Sequence, residues 1–328
     1  MSKKTRWGIL GTGYIAQKFA EALAFIPEAE LAAVGSRSLE SARVFGARYH
    51  AARAYGTYQE LVEDAQVDVV YVATVNSVHR QNCLAALQAG KPVLCEKPFT
   101  VNSAEAEEVI AFAHRQGLFL MEALWTRFIP AFVVARQMWE SGVIGELRVV
   151  ESEIAFINEK TPPAPLYDPA LAGGCLLDMG AYPISLAHIV FGEPDRIASL
   201  GSIGASGVDE QTGMLFGYRG GQLGLGYSSF QVESPKEATV VGTKGYIRIH
   251  TPYFCPSAFT LHLNGKEPER FDVPYEGNGW NYEAVEVIQC LQEGKLESQV
   301  VPHGETLALM RTMDRIREQI GLKFPFEG

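Results

Sequence analysis

The six residues Gly11-Thr12-Gly13-Tyr14-Ile15-Ala16 constrain the fold of this chain more than any others. The run Arg6 to Leu10 before them is apolar and strand-like, and Tyr14 to Phe25 after them is periodic as a helix is. Glycines at this junction permit a tight turn and a close backbone approach that side chains would block. The same alternation then repeats. Strand candidates at Leu31 to Val34, Val67 to Val72, Pro92 to Cys95 and Leu118 to Met121 are separated by helical patterns at Leu39 to Tyr49, Val78 to Ala89 and Ser103 to Gln116. Asn102 with Glu105 three residues later resembles a capping box at the start of the last helix. Short apolar strands alternating with helices predict an α/β fold with a parallel sheet buried on both faces.

After Glu122 the pattern changes. A helix is expected over Pro130 to Ser141, a strand over Leu147 to Phe156, a loop holding Pro162, Pro163, Pro165 and Pro169, and a helix over Leu176 to Val190. Strand candidates separated by glycines follow, among them Met214 to Tyr218, Gln222 to Phe230, Ala238 to Val241 and Tyr246 to His250. Helical patterns at Tyr282 to Leu291 and Glu305 to Ile320 close the chain. The expectation is a C-terminal α+β domain built on a mostly antiparallel open sheet, with the domains at residues 1–122 and 123–328. A length of 328 residues fits two hydrophobic cores.

Charge and cysteine usage narrow the function classes. A formal net charge of -10 with no clustered lysine and arginine opposes binding to a phosphate backbone, so no nucleic acid partner is expected. No uninterrupted apolar run reaches the length of a membrane span, and the glycines at 11 and 13 come too early for a signal core, so neither membrane nor export is expected. Cys83, Cys95, Cys175, Cys255 and Cys290 are odd in number and form no C-x-x-C pair, which predicts buried free thiols in a cytoplasmic protein. Neither they nor the histidines have metal-ligand spacing, so no metal is expected.

Strand, glycine turn and helix in this order form a dinucleotide site, in which a pyrophosphate rests against the amides and positive dipole of the helix N-terminus. Gly11, Thr12, Gly13, Tyr14 and Ile15 are the candidates for that contact. The first domain is therefore read as a Rossmann dinucleotide-binding domain. Where an NAD site carries an acidic residue after the second strand, this chain has Gly35-Ser36-Arg37-Ser38. Ser36 and Arg37 suit a ribose phosphate, since a guanidinium offers charge-assisted bonds to it, and NADP is expected, with NAD possible. Cys95-Glu96-Lys97-Pro98 follows the strand ending at Cys95, on the side where open α/β sheets bind ligands, so Glu96 and Lys97 join the candidate site.

The residues Gly11 to Ala16, Asn76 to His79, Glu96-Lys97-Pro98 and Ala172-Gly173-Gly174-Cys175-Leu176-Leu177-Asp178-Met179-Gly180-Ala181-Tyr182-Pro183 resemble the Gfo/Idh/MocA oxidoreductases over nearly the whole chain. Met121 to Phe128 further resembles the branch holding dimeric dihydrodiol dehydrogenases and NADP-dependent xylose dehydrogenases. The resemblance implies hydride transfer between NADP and a secondary alcohol or carbonyl of a sugar, polyol or dihydrodiol, by a homodimer. Lys97, Tyr182 and Asp178 are then the catalytic residues, Tyr182 standing where inositol dehydrogenases have His. Thr74, Asn76 and His79 join the cofactor side, and Trp125, Arg127, Phe156 and Asp178 the substrate side. The electron chemistry belongs to the cofactor, while the hydroxyl proton needs a positioned acid/base. A phenol is a weak base near neutral pH, and an ammonium such as that of Lys97 favours its phenolate. Asp178 and Tyr182 share a face if the segment between them is helical, although Pro183 must start or kink that helix. A cofactor-holding regulator without turnover and a redox-assisted glycosidase are the alternatives that share this fold.

Overall fold

The computed structural model describes residues 4–158 and 165–327, so Pro162 and Pro163 of the expected loop lie outside the described residues. The chain divides into two compact units, residues 1–125 with 276–307, and residues 126–275 with 308–328. A boundary expected after Glu122 falls after Trp125, and the expected uninterrupted second domain is corrected, because residues 276–307 return to the first unit. The cause is packing between segments far apart in sequence. Helix α8, Trp280–Gln292, lies against α1, Tyr14–Leu23, and the Leu120 amide donates to the Leu296 carbonyl at 3.1 Å.

The first unit contains the parallel strands β1 (Thr5–Leu10), β2 (Ala29–Gly35), β3 (Arg53–Tyr55), β4 (Val69–Val72), β5 (Val93–Glu96) and β6 (Leu120–Ala123) in the order β3-β2-β1-β4-β5-β6. That order reverses between β1 and β4, which places the ligand crevice of such a sheet at their carboxyl ends. Every residue of β4, β5 and β6 is buried, as expected of strands covered on both faces. Helix α2 is Leu39–Tyr49, α3 Tyr58–Val62, α4 His79–Gln88 and α5 Ser103–Gln116. At α5, Asn102 caps by accepting from the Glu105 amide at 3.0 Å, and the Glu105 carboxylate reaches back to accept from the Val101 amide at 3.3 Å. A complete capping box occurs at α3, between Thr57 and Glu60. The core under β1 and β4 is aromatic, with Phe19 stacked on Tyr71 at 3.8 Å and set edge-on to Trp7 at 5.0 Å.

The second unit is built on an eight-stranded sheet. Its strands are β7 (Leu147–Ala155), β8 (Arg196–Ile203), β9 (Asp209–Gly217), β10 (Leu223–Ser229), β11 (Ala238–Gly242), β12 (Gly245–Ile249), β13 (Ala258–Leu263) and β14 (Glu269–Asp272). They run in the order β14-β13-β12-β11-β7-β10-β9-β8, antiparallel except where β10 lies parallel to β7. One face is covered, α6 (Pro130–Glu140) packing on β12 and β13, and α7 (Ala181–Phe191) on β7 and β10. The other leaves Leu215, Leu223, Leu225, Tyr227 and Tyr246 exposed, giving the alternation of burial along β9, β10 and β12. Helix α9, His303–Ile320, begins in the first unit and ends in the second. Residues Pro169–Phe191 are long and apolar enough by mean hydropathy, 1.3, to cross a membrane, but 72% of that window is buried in the protein, as in the core helix of a globular fold. All five cysteines are buried free thiols.

Candidate functional site

In the first unit the glycine turn is fixed by what surrounds it. Gly11 has φ +109, and a Cβ there would come 2.4 Å from the Ala73 carbonyl oxygen at the end of β4. Its amide donates to the Gly35 carbonyl at 2.9 Å, so the turn is held between the ends of β2 and β4. Gly13 caps α1 without a side-chain hydrogen bond, and a Cβ at that position would meet nothing within 4 Å. Open space in front of uncapped helix amides is what a pyrophosphate requires, so the turn and Thr12, Tyr14 and Ile15 beside it fit a dinucleotide. At the end of β2, Ser36 is buried and accepts from the Ser38 amide at 3.4 Å, while Ser38, not Arg37, caps α2 by accepting from the Ser41 amide. Arg37 is exposed, and no hydrogen bond or ion pair to a described residue ties its guanidinium. Its charge is felt at Tyr58, where it opposes the upward push of burial on the phenol.

Around β5 the polar groups are buried and interlocked. Lys97 is half-buried, and its amide donates to Oε2 of Glu96 at 3.1 Å. Tyr71 donates its hydroxyl to the other oxygen, Oε1. The Lys97–Pro98 bond is cis, and the Pro98 carbonyl lies 2.9 Å from His79 Nδ1. His79 Nε2 lies 3.1 Å from the Thr74 carbonyl, and the Thr74 hydroxyl accepts from Asn82 at 3.1 Å. Burial lowers the His79 pKa against those two carbonyls, and a neutral ring donates to one of them at a time. His79 therefore joins the loop after β4 to the loop after β5. Asn76 is half-buried in the single turn Asn76–Val78 that precedes α4.

Sequence reasoning missed Tyr71, Glu283 and Trp280. Glu283 of α8 is fully buried with no hydrogen-bond partner for either oxygen, and burial followed by the charge of Glu96 raises its pKa well above the carboxylate range. Trp280 stacks on Trp125 at 4.0 Å between centroids and 9° between planes. Trp125 is itself buried, so its wall is made of two indoles. Nothing local marks Glu283 or Trp280, because both arrive from the returning segment.

In the second unit the segment carrying Asp178 and Tyr182 is a π-helical turn, Leu176–Gly180, running into α7. This resolves the difficulty at Pro183, which falls in the first turn of α7, where a missing amide costs least. From Ala172 to His188 only Asp178 and Tyr182 are not buried. Tyr182 packs on Phe254 at 5.2 Å, and Phe156 faces Phe230 at 6.3 Å. Arg127 is buried and donates to Ser185 of α7 at 2.9 Å through Nη2. A guanidinium so engaged ties the turn after β6 to α7. His188 meets Thr312 of α9 at 3.0 Å. The described residues hold no cluster of His, Cys, Asp and Glu fit for a metal ion.

A Rossmann sheet with an open glycine turn and a polar, half-buried lysine at its ligand edge defines a dinucleotide-dependent oxidoreductase. The chain belongs to the Gfo/Idh/MocA family. Residues 5–124 match the family described as oxidoreductase, NAD-binding Rossmann fold, and residues 132–248 match the GFO/IDH/MocA C-terminal domain. It is 39% identical over 332 residues to trans-1,2-dihydrobenzene-1,2-diol dehydrogenase of Mus musculus, covering 98% of each chain. The human counterpart is 38% identical over 329 residues, again with 98% of each chain covered. Among solved structures, an aldose-aldose oxidoreductase from Caulobacter crescentus complexed with glycerol superimposes with a TM-score of 0.87 at 26% identity, covering 97% of each chain. A 3-ketoreductase from Actinomadura kijaniata with NADP and TDP-benzene gives 0.88 at 24% identity, covering 97% of this chain and 98% of that one, and supports the fold.

Two predictions follow from the first unit. Arg37→Ala should weaken NADP far more than NAD, each tenfold loss being about 1.4 kcal/mol; titrating both cofactors at fixed salt checks this, and equal losses would remove Arg37 from phosphate binding. Glu283 holds its proton to higher pH in the fold than in the unfolded chain, which ionises above about pH 4.3, so this group's contribution to stability is present below that range and is lost as pH rises toward its folded value. Glu283→Gln should therefore melt higher than the parent at pH 7, with the gain shrinking as pH falls toward 4. A variant that melts lower throughout contradicts the assignment.

Proposed function

We propose that this oxidoreductase interconverts a secondary alcohol and its ketone in a sugar, polyol or trans-dihydrodiol, with a preference for NADP. The observation that carries the proposal is that Asp178 and Tyr182 alone are only half-buried in an otherwise buried run of seventeen residues, 172–188. Polar groups held at the surface of a rigid, buried helix are placed for contact with a ligand. Ser36 and Arg37, with no carboxylate beside them, support the NADP preference. Gly11, Thr12, Gly13, Tyr14 and Ile15 would hold the pyrophosphate, with Thr74, Asn76, Glu96 and Lys97 along the same sheet edge. When bound, the nicotinamide accepts or returns the hydride.

The protein's part is the proton. Tyr182 is assigned as the acid/base that takes the hydroxyl proton in oxidation and returns it in reduction. The Lys97 ammonium supports that exchange by favouring the phenolate, or carries the proton itself. Asp178 orients the substrate hydroxyl, and Trp125 and Phe156 supply apolar surface for the substrate ring. Relatives named for dihydrodiol and aldose oxidation support this substrate class. Five unpaired thiols support a reducing compartment, and we place the protein in the cytoplasm.

We further propose a homodimer formed through the open face of the eight-stranded sheet. That face exposes Leu215, Leu223, Leu225, Tyr227 and Tyr246, of which Leu225, Tyr227 and Tyr246 line a hollow of about 920 Å³ together with Glu153, Glu237 and Arg248. An apolar patch rimmed by charges of both signs is self-complementary under a two-fold axis.

Tyr182→Phe keeps the ring and removes the ionisable hydroxyl, so it should lower single-turnover hydride transfer roughly 10² to 10⁴-fold with little change in cofactor affinity. Lys97→Met should impair the same step, and the double variant should lose less than the product of the two. Near-parental turnover in Tyr182→Phe would reject the assignment. For the assembly, sedimentation should give a dimer at micromolar concentration and Leu225→Arg a monomer; a parent chain that sediments as a monomer overturns it.

A further inference from the structure

Asp209 opens β9 and is fully buried, with no part in the chemistry assigned above. Its Oδ2 accepts three donors, the Leu176 amide at 2.8 Å, the Thr212 hydroxyl at 2.7 Å and the Cys175 thiol at 3.1 Å. Its Oδ1 has no hydrogen-bond partner. That oxygen is pressed against the chain instead: a Cβ on Gly174 would come 2.1 Å from it, with Gly174 at φ +115. The next glycine back is equally confined, since a Cβ on Gly173 would come 2.5 Å from the Leu166 carbonyl oxygen. Burial pushes the Asp209 carboxyl upward in pKa, and the three donors work against that push. A buried acid is costly unless bonds of this kind satisfy it, so a structure that keeps one needs what it holds.

What it holds is the first turn of the segment that bears Asp178 and Tyr182. Leu176 is the first residue of the π-helical turn, and no side chain of the segment itself caps that turn. The Asp209 carboxylate therefore takes over the cap from a distant strand, binding both the Leu176 amide and the thiol before it. Downstream, the Asp178 amide reaches back to the Gly174 carbonyl at 3.3 Å, the residue packed on Asp209 Oδ1. Displacing the carboxylate would release three donors and the glycine contact together, at the end of the helix from which Asp178 and Tyr182 project.

We propose that Asp209 is a positioning residue for the reaction, fixing the start of the Leu176–Gly180 turn and through it the placement of Asp178 and Tyr182. The inference rests on the assignment of Tyr182 as acid/base. It explains why two glycines precede Cys175: they admit the carboxylate and a carbonyl where side chains would stand.

The experiment uses the full-length protein and has two readouts. Hydrogen exchange by mass spectrometry should show faster exchange over residues 176–182 in Asp209→Ala than in the parent, with β1 and β4 unchanged. Single-turnover hydride transfer should fall roughly 10²-fold, the cost of a small misplacement, while NADP affinity, measured by fluorescence titration, stays at the parental value. Asp209→Asn, which keeps the shape and one acceptor oxygen, should lie between the two. In the Tyr182→Phe background the same Asp209→Ala change should cost a smaller fraction of the rate, because the part that acts through the Tyr182 hydroxyl is already gone and only the placement of Asp178 is left to lose. An equal fractional loss in both backgrounds would mean general damage and overturn the proposal. Unchanged exchange over 176–182 overturns it whatever the rates show, and if Asp209→Ala does not fold, that comparison is made in Asp209→Asn. Parental turnover in Tyr182→Phe with accelerated exchange in Asp209→Ala overturns the acid/base assignment and, with it, the catalytic half of the inference.

Discussion

The first unit depends on one close approach, that of Gly11 to the Ala73 carbonyl. The amide of Gly11 is bound to the end of β2, and the Ala73 amide is bound to the Leu10 carbonyl at 2.9 Å, so the carboxyl ends of three strands meet within one turn. A methyl group there would part β1 from β4. The sheet order reverses at that seam, and the residues after β4 and β5 converge on it through His79, which touches both the Thr74 and the Pro98 carbonyls. The cofactor-side candidates therefore have a common physical origin: they are the loop residues that a parallel sheet with this reversal brings to one edge.

Behind that edge lies a second constraint, a buried acid pair. Glu96 is satisfied by the Tyr71 hydroxyl and the Lys97 amide, whereas Glu283 faces it with no partner. Two carboxylates in a dry interior repel, and that repulsion adds to burial in pushing the Glu283 carboxyl well upward in pKa. The Glu96 carboxyl sits directly under the backbone of Lys97, whose amide donates to it. The segment 276–307 supplies Glu283 and Trp280 together, which is why its return to the first unit matters for the chemistry and not only for packing.

How much of this was legible depended on whether the signal was local. The glycine turn, the buried strands β4 and β5, the Ser36-Arg37 pair and Lys97 after β5 were all readable, because tight turns and two-sided burial leave a mark within a few residues. Strand β3, three half-buried residues at a sheet edge, left none, and neither did β8, which is largely exposed along its length. The α8 segment was read as a helix, but its destination was invisible, since the residues it covers are more than 150 positions away. The contact of Arg127 with Ser185 is invisible for the same cause, since 58 positions separate the two and nothing near Trp125 marks where that guanidinium goes.

The motif around Asp178 and Tyr182 shows how a sequence pattern and its physical reason can come apart. Four residues separate the two, and a regular helix would have explained their shared face, yet Pro183 forbids that helix from continuing backward unaltered. The chain widens one turn instead. A π turn over Leu176–Gly180 inserts the extra residue before α7, Pro183 enters where no amide is needed, and the two polar side chains still emerge from a run that is otherwise buried. Such a turn is less stable than a regular one and must be held from outside. Arg127 holds α7 through Ser185 beyond the turn, and Asp209 holds the turn at its start, so the segment is gripped at both ends by buried charged groups drawn from elsewhere in the second unit. Glycines at 173 and 174 are then a requirement of the grip, and the pattern in the sequence records the packing before it records the chemistry.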